Sequence, residues 1–166
     1  MGFEELAKEI QGKLLPLKSV NEIFAGVSID SRVVKSGELF IAIRGERNDG
    51  HAFVDEALKN GAHGLLVDNR FEETASASQK TAVVVVENTH EAMMELARNY
   101  RNKCNAKVVG ITGSNGKTTC TVLLGEMMKQ SFDDVRVGGN IGTPFSSLIG
   151  DGETDNTIYI LEVSSF

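Results

Sequence analysis

The sequence predicts an α/β protein of two consecutive units: a small mixed α/β unit, then a unit built on a parallel sheet. Three observations carry that prediction. The continuous apolar runs "GLLV" (64–67) and "AVVVV" (82–86) have the length and composition of strands buried on both faces. Segments with helical spacing alternate with strand-like runs, the order that yields largely parallel sheets. The polar stretch "RNKCNAK" (101–107) interrupts that alternation, which places a boundary at 103–106 and gives units 1–103 and 104–166.

Phe3, Leu6, Ile10 and Leu14 recur at intervals of three and four, which predicts an amphipathic helix over 3–14. Short strands follow at 27–29 and 39–43, with Gly37 in the polar turn between them. Phe53, Ala57 and Leu58 mark a short helix that Asn60 and Gly61 stop. The two apolar strands come next, separated by "DNRFEETASASQK" (68–80), which reads as a surface loop. Asn88 caps the following helix and Glu91 suits its first turn. Its buried face is expected at Met93, Leu96, Ala97 and Tyr100, with the pair Met93 and Met94 as core filling. The second unit begins with a strand at 107–112, then a glycine loop and a helix over 116–129. A strand at 135–137, a short helix through 143–149 and the strand "TIYILEV" (157–163) complete it. No helix follows that last strand to close the sheet, so the second unit is read as the first part of something longer.

Composition excludes several classes of function. A net charge of −6 and a pI near 5.1 disfavour a nucleic-acid partner, which requires a basic face. No apolar run approaches the roughly 18 residues of a membrane span, and no secretory segment follows Met1. Membrane insertion is therefore not expected, and the cytoplasm is the expected location. Cys104 and Cys120 lack metal-site spacing, and the three histidines are scattered, so zinc is not expected.

The chemistry concentrates in "GITGSNGKTTC" (110–120). Phosphate binding needs converging backbone N–H groups, glycines that let the backbone approach, and a helix N-terminus behind them. Gly113, Ser114, Asn115 and Gly116 stand between a strand and a helix, the required context. Lys117 would reach the β- and γ-phosphates of ATP, and the Thr118 hydroxyl would hold Mg²⁺; Thr119 offers a second hydroxyl. Ile111 occupies the position of the first glycine of the standard P-loop, so the loop is a variant.

"TGSNGKTT" resembles the ATP loop of the Mur ligase superfamily, the ligases of peptidoglycan precursor synthesis. Three further stretches agree. The segment 28–62, "SIDSRVVKSGELFIAIRGERNDGHAFVDEALKNGA", is similar to the family's nucleotide-sugar-binding domain. "GGNIGTP" (138–144) and "LEVSSF" (161–166) are similar to segments that follow the ATP loop in its central domain.

The resemblance implies a UDP-muramoyl-peptide-binding domain over 1–103 and a truncated P-loop domain over 104–166. It implies ATP-dependent amide-bond formation, through an acyl phosphate, between a UDP-N-acetylmuramoyl-peptide carboxylate and an amino acid or dipeptide. Lys117, Asn140 and Glu162 are the implied catalytic residues, with Thr118 and Glu162 as Mg²⁺ ligands. Ser31, Arg32, Asp49, Gly50, His51, Thr143 and Ser164 are the implied substrate contacts. For His51 the rival role is a polar residue that opens the following helix, and Asp30 is expected to order the turn or to pair with Arg32 rather than to touch nucleotide. A later Mg²⁺-binding lysine, the adenine site, a third domain and a monomeric full-length enzyme are also implied.

The type of ligase stays open. "GERNDGH" (45–51) most resembles the D-alanyl-D-alanine-adding type, the first choice. "GGNIGTP" and "EVSSF" look more like the D-glutamate-adding and third-residue-adding types. An inactive fragment that only binds a UDP-sugar peptide is a further alternative. A P-loop kinase or GTPase is disfavoured by the absence of a guanine-reading Asn-Lys-x-Asp.

Overall fold

A computed structural model describes residues 1–15, 23–46, 48–71, 81–140, 142–149 and 152–164. The chain divides into two compact units, Met1–Arg101 and Asn102–Phe166.

The first unit runs α1 (Phe3–Glu9), β1 (Lys13–Leu14), β2 (Gly26–Ser28), β3 (Glu38–Ile41), a 3-10 turn (Gly50–Phe53), α2 (Val54–Lys59), β4 (Gly64–Asp68), a second 3-10 turn (Asn69–Phe71), β5 (Ala82–Val86) and α3 (Thr89–Lys103). Its sheet has the order β1-β5-β4-β3-β2; β1 is antiparallel to β5 and the other pairs are parallel. Successive side chains of a strand face opposite ways, so two cores form. Leu39, Ile41, Leu66 and Val84 pack with Phe3 and Leu6 of α1 and with Ala92 and Leu96 of α3. Phe40, Leu65, Val67, Val83 and Val85 pack on the other face with Val54 and Ala57 of α2. Leu66 is fully buried, and truncating it to Ala would cost about 2–5 kcal/mol.

Three expectations for this unit are corrected. The first helix ends at Glu9 rather than near residue 14. Gln11 takes the left-handed conformation (φ 53°), the chain turns, and Lys13–Leu14 joins the sheet edge beside Val84 and Val85. Leu14 still packs against the core that Ile10 enters, so an edge strand meets the spacing that suggested continued helix. The buried face of α3 is Thr89, Ala92 and Leu96, with Met93 packed beside them; Ala97, Tyr100 and Met94 are exposed. Of the loop expected over 68–80, Asp68 belongs to β4 and Asn69–Phe71 is a 3-10 turn. Residues 72–80 lie outside the described residues.

The second unit comprises β6 (Lys107–Ile111), α4 (Lys117–Lys129), β7 (Val135–Gly139), α5 (Phe145–Leu148) and β8 (Ile158–Glu162). Its three strands are parallel in the order β6-β8-β7, so the last strand is the central one. All of β8 is buried, whereas β6 is largely exposed. Helix α4 buries Thr121 and Gly125 but exposes Val122, Leu123 and Met127. A helix that is apolar on both faces is suited to cover on both.

Candidate functional site at the carboxyl edge of the second sheet

Strand β6 delivers the chain to the glycine loop, and α4 begins immediately after it. Gly113 (φ 136°) and Gly116 (φ 73°) both take conformations that side chains rarely adopt. A Cβ at either would meet nothing within 4 Å, so backbone conformation rather than space calls for glycine there. Gly116 is the N-cap of α4, and Cys120 N–H already bonds the Gly116 carbonyl. Ser114, Asn115 and Gly116 are exposed. The loop and the first turn of a 13-residue helix thus form the arrangement that receives phosphate oxygens.

Lys117 folds back over the loop, its Nζ donating to the Gly113 carbonyl at 2.5 Å. Thr118 points the other way, to the strand. Its Oγ1 donates to Glu162 Oε2 at 2.9 Å, which ties the helix start to the end of β8. Glu162 is buried, although the side chain is a carboxylate. The Asn140 N–H bonds the Glu162 carbonyl at 2.9 Å, and the Val163 N–H bonds that of Ile111 at 2.9 Å. Three strand ends and one helix start are therefore pinned around Glu162. Gly139 makes the approach possible: it has φ 121°, and a Cβ there would lie 2.4 Å from the Glu162 carbonyl oxygen.

Lys117, Thr118, Asn140 and Glu162 thus come together at the edge where α/β sheets bind ligands. Thr119 is exposed on the helix. Thr143 uses its carbonyl to accept the Gly139 N–H at 2.9 Å and is itself exposed, as is Ser164. Among the described residues no group of three or more His, Cys, Asp or Glu could hold a metal by itself. The pair Thr118–Glu162 nevertheless fits Mg²⁺. Adjacent ligands of an octahedron with bonds near 2.05 Å stand about 2.9 Å apart, and Mg²⁺ takes few protein oxygens beside phosphate and water.

In the first unit the residues implied as substrate contacts lie beyond the carboxyl ends of β2 and β3. Ser31 is buried and donates its hydroxyl proton to Glu56 Oε2 at 2.5 Å, while Asn60 Nδ2 donates to the Ser31 carbonyl at 2.8 Å. Arg32 is paired with Asp30 as expected, through Nε at 2.9 Å and Nη2 at 2.6 Å. That guanidinium holds the Asp30 carboxyl down at about 2. Asp49 caps the 3-10 turn by accepting the His51 N–H at 3.0 Å. Gly50 leaves no room for a side chain, since a Cβ would lie 2.7 Å from the Ile43 nitrogen.

Both His51 ring nitrogens are engaged. Nε2 accepts the Asp68 N–H at 3.0 Å, so Nδ1 carries the proton and donates to Asp49 Oδ1 at 2.7 Å. The ring therefore ties the turn to Asp68, while Asp49 rather than His51 caps the 3-10 turn that leads into α2.

Two members of this cluster were missed by sequence reasoning. Arg44 donates to Asp68 Oδ2 from Nε at 3.1 Å and from Nη2 at 2.9 Å, and its Nη1 pairs with Asp49. Burial pushes the Asp68 carboxyl up, but the Arg44 hydrogen bonds and charge, with the Arg70 N–H, outweigh it, and the net direction is down. A signal existed: Asp68 drops one charge directly after an apolar run, as Glu162 does after "IYIL".

A family profile described as "Mur ligase family, catalytic domain" matches residues 23–101, within the first unit. The chain is 31% identical over 164 residues to the UDP-N-acetylmuramoyl-tripeptide–D-alanyl-D-alanine ligase of Bacillus subtilis, covering 96% of this chain and 35% of that protein. It is 38% identical over 133 residues to the UDP-N-acetylmuramoyl-L-alanyl-D-glutamate–2,6-diaminopimelate ligase of Caldanaerobacter subterraneus, covering 79% and 26% respectively. The crystal structure of the MurF ligase of Thermotoga maritima in complex with ADP superposes with a TM-score of 0.62 at 30% identity, over 87% of this chain and 33% of that one. The chain thus spans 26% to 35% of the lengths of these proteins. With sequence relatives, fold and family profile in agreement, the chain belongs to the Mur ligase superfamily.

Proposed function

We propose that the chain carries the nucleotide-sugar-binding and ATP-loop parts of a cytoplasmic peptidoglycan-precursor ligase. That ligase would join a UDP-N-acetylmuramoyl-peptide carboxylate to an amino acid or dipeptide. The observation that carries this reading is the convergence of Lys117, the 113–116 loop, Thr118 and Glu162 at one sheet edge. Joining a carboxylate to a phosphoryl donor brings two anions together, which requires positive charge and oriented donors between them.

Bound ATP and Mg²⁺ would supply the phosphoryl group and concentrated positive charge. The chain's own residues position them. Lys117 already holds its ammonium over the loop and would exchange the Gly113 carbonyl for phosphate oxygens. Thr118 and Glu162 would hold the cation. Asn140, fixed by its backbone to Glu162, keeps an exposed amide at the same edge for the substrate carboxylate or the transferred group. Thr119, Thr143 and Ser164 add exposed hydroxyls there. In the first unit, Ser31, Arg32 and the turn carrying Asp49, Gly50 and His51 would form the UDP pocket.

The D-alanyl-D-alanine-adding type is the first reading, supported by the likeness to the Bacillus subtilis protein over 96% of the chain. The diaminopimelate-adding type is the second, supported by the higher identity, 38%, to the Caldanaerobacter protein. Phosphate release by a ligase carrying this chain, measured with each amino acid or dipeptide in turn, separates the two. In the same ligase, Lys117→Ala should lower turnover by at least ~10²-fold with UDP-substrate affinity retained, as expected for a lost contact to developing charge. Turnover within a few-fold of the parent would overturn the loop assignment.

A further inference from the structure

A second polar cluster, in the first unit, is separate from the glycine loop. It joins Arg44, just past β3, to Asp49 and His51 of the following turn and to Asp68 at the end of β4. Asp68 and His51 are 4% and 6% exposed. The turn is closed on itself as well: Gly45 N–H bonds the Asn48 carbonyl, and Gly50 N–H bonds that of Ile43. Those backbone bonds fix the shape of the turn and tie its base to Ile43, next to Ala42, whose N–H bonds the Leu66 carbonyl of β4. Asp68 adds a side-chain link to β4, accepting twice from Arg44 through its carboxylate and donating its N–H to His51.

We propose that Arg44 and Asp68 are positioning residues, which set where the turn of Asp49, Gly50 and His51 stands at the carboxyl edge of the first sheet. The turn is thereby held in register to receive a nucleoside diphosphate. The ligand class rests on the reading of the first unit given above; the anchoring rests on the hydrogen bonds. Arg44 suits the task because one planar guanidinium reaches two carboxylates at once, which an ammonium cannot reproduce with the same geometry. A binding site needs its supporting residues to hold it to within about 0.5 Å, and a paired cluster anchored on buried Asp68 and His51 does that better than the loop backbone by itself.

The test is titration of the 166-residue chain with UDP, followed by amide chemical shifts, for the parent, Arg44→Gln, Arg44→Lys and Asp68→Asn. Circular dichroism and the shifts of β4 and β5 report folding. In ligand-free Arg44→Gln the shifts of residues 48–51 and of Asp68 should move while those of the rest of β4 and of β5 stay. UDP affinity should fall by about 10-fold, the size of one lost charge-assisted hydrogen bond. Arg44→Lys should recover folding stability but not the affinity, a split that a purely structural role would not produce. If buried Asp68→Asn does not fold, the half-exposed Arg44 variants decide the matter. Parent-like UDP affinity in Arg44→Gln, or affinity that tracks stability across the series, overturns the proposal. A parent chain that shows no shifts at millimolar UDP instead overturns the nucleotide reading of the first unit. In that case unmoved 48–51 shifts in Arg44→Gln would sink the anchoring as well.

Discussion

Thr118 Oγ1 stands 2.9 Å from Glu162 Oε2, although the two residues are 44 positions apart in the chain. One begins the helix after the glycine loop and the other ends the central strand of the sheet. The contact sets a hydroxyl and a carboxylate side by side at the edge of the glycine loop, the pair proposed above to hold Mg²⁺.

Glu162→Gln should therefore separate the two functions of the site. The amide can still accept from Thr118, but the charge is gone. The Mg²⁺-dependent part of ATP affinity should fall by about 10-fold or more, with the Mg²⁺-independent part little changed. Titration with a fluorescent ATP analogue, with and without Mg²⁺, measures both. An unchanged Mg²⁺ dependence would remove Glu162 from the cation site.

The glycines of the site should respond to substitution in a definite order. Gly116→Ala meets open space and bears only the left-handed conformation, a cost of about 1–2 kcal/mol. Gly139→Ala adds a collision with the Glu162 carbonyl, 2.4 Å from the new Cβ, for a total of about 3 kcal/mol. Denaturant unfolding monitored on second-unit amides gives the ranking. Equal effects would mean that β7 does not approach Glu162 as closely as described.

Acid should expose the Asp30–Arg32 pair. Asp30 is held at about 2 against an ordinary value of 3.8, chiefly by the Arg32 side-chain hydrogen bond. A depressed carboxyl contributes stability above its unfolded pKa and loses it as pH falls through the folded one, here between roughly 4 and 2. The pair is exposed, so the effect belongs in the titration curve rather than in the melting temperature. Carboxyl-carbon NMR should follow Asp30 to about 2 in the parent and back toward 3.8 in Arg32→Ala. A midpoint already near 3.8 in the parent would show that the pair does not persist in solution.

Amide exchange should separate the strands by cover. Strands β4, β5 and β8 are buried throughout, whereas β6 is mostly exposed and β7 mostly half-buried. Exchange in β6 and β7 should exceed that in β4 and β5 by at least ~10-fold, with β8 slower than its two neighbours. Equal protection across the second sheet would mean that another surface covers Val108 and the outer face of α4.

The strands and the glycine loop were legible in the sequence because their causes are local. "GLLV" and "AVVVV" became β4 and β5 because an apolar run of that length has to be buried on both faces. Gly-Lys-Thr after a strand became a loop and helix start because glycine and the helix end impose that backbone. The end of the first helix was not legible. Leu14 satisfies helical spacing and core burial alike, and only pairing with Val84, 70 positions away, decided for strand. The clustering around Glu162 and around Asp68 was likewise left to the tertiary structure. Sequence supplies each charged residue singly, at the end of its apolar run. Which partner neutralises it depends on strand order, which set β8 between β6 and β7 and brought Asp68 beside Arg44.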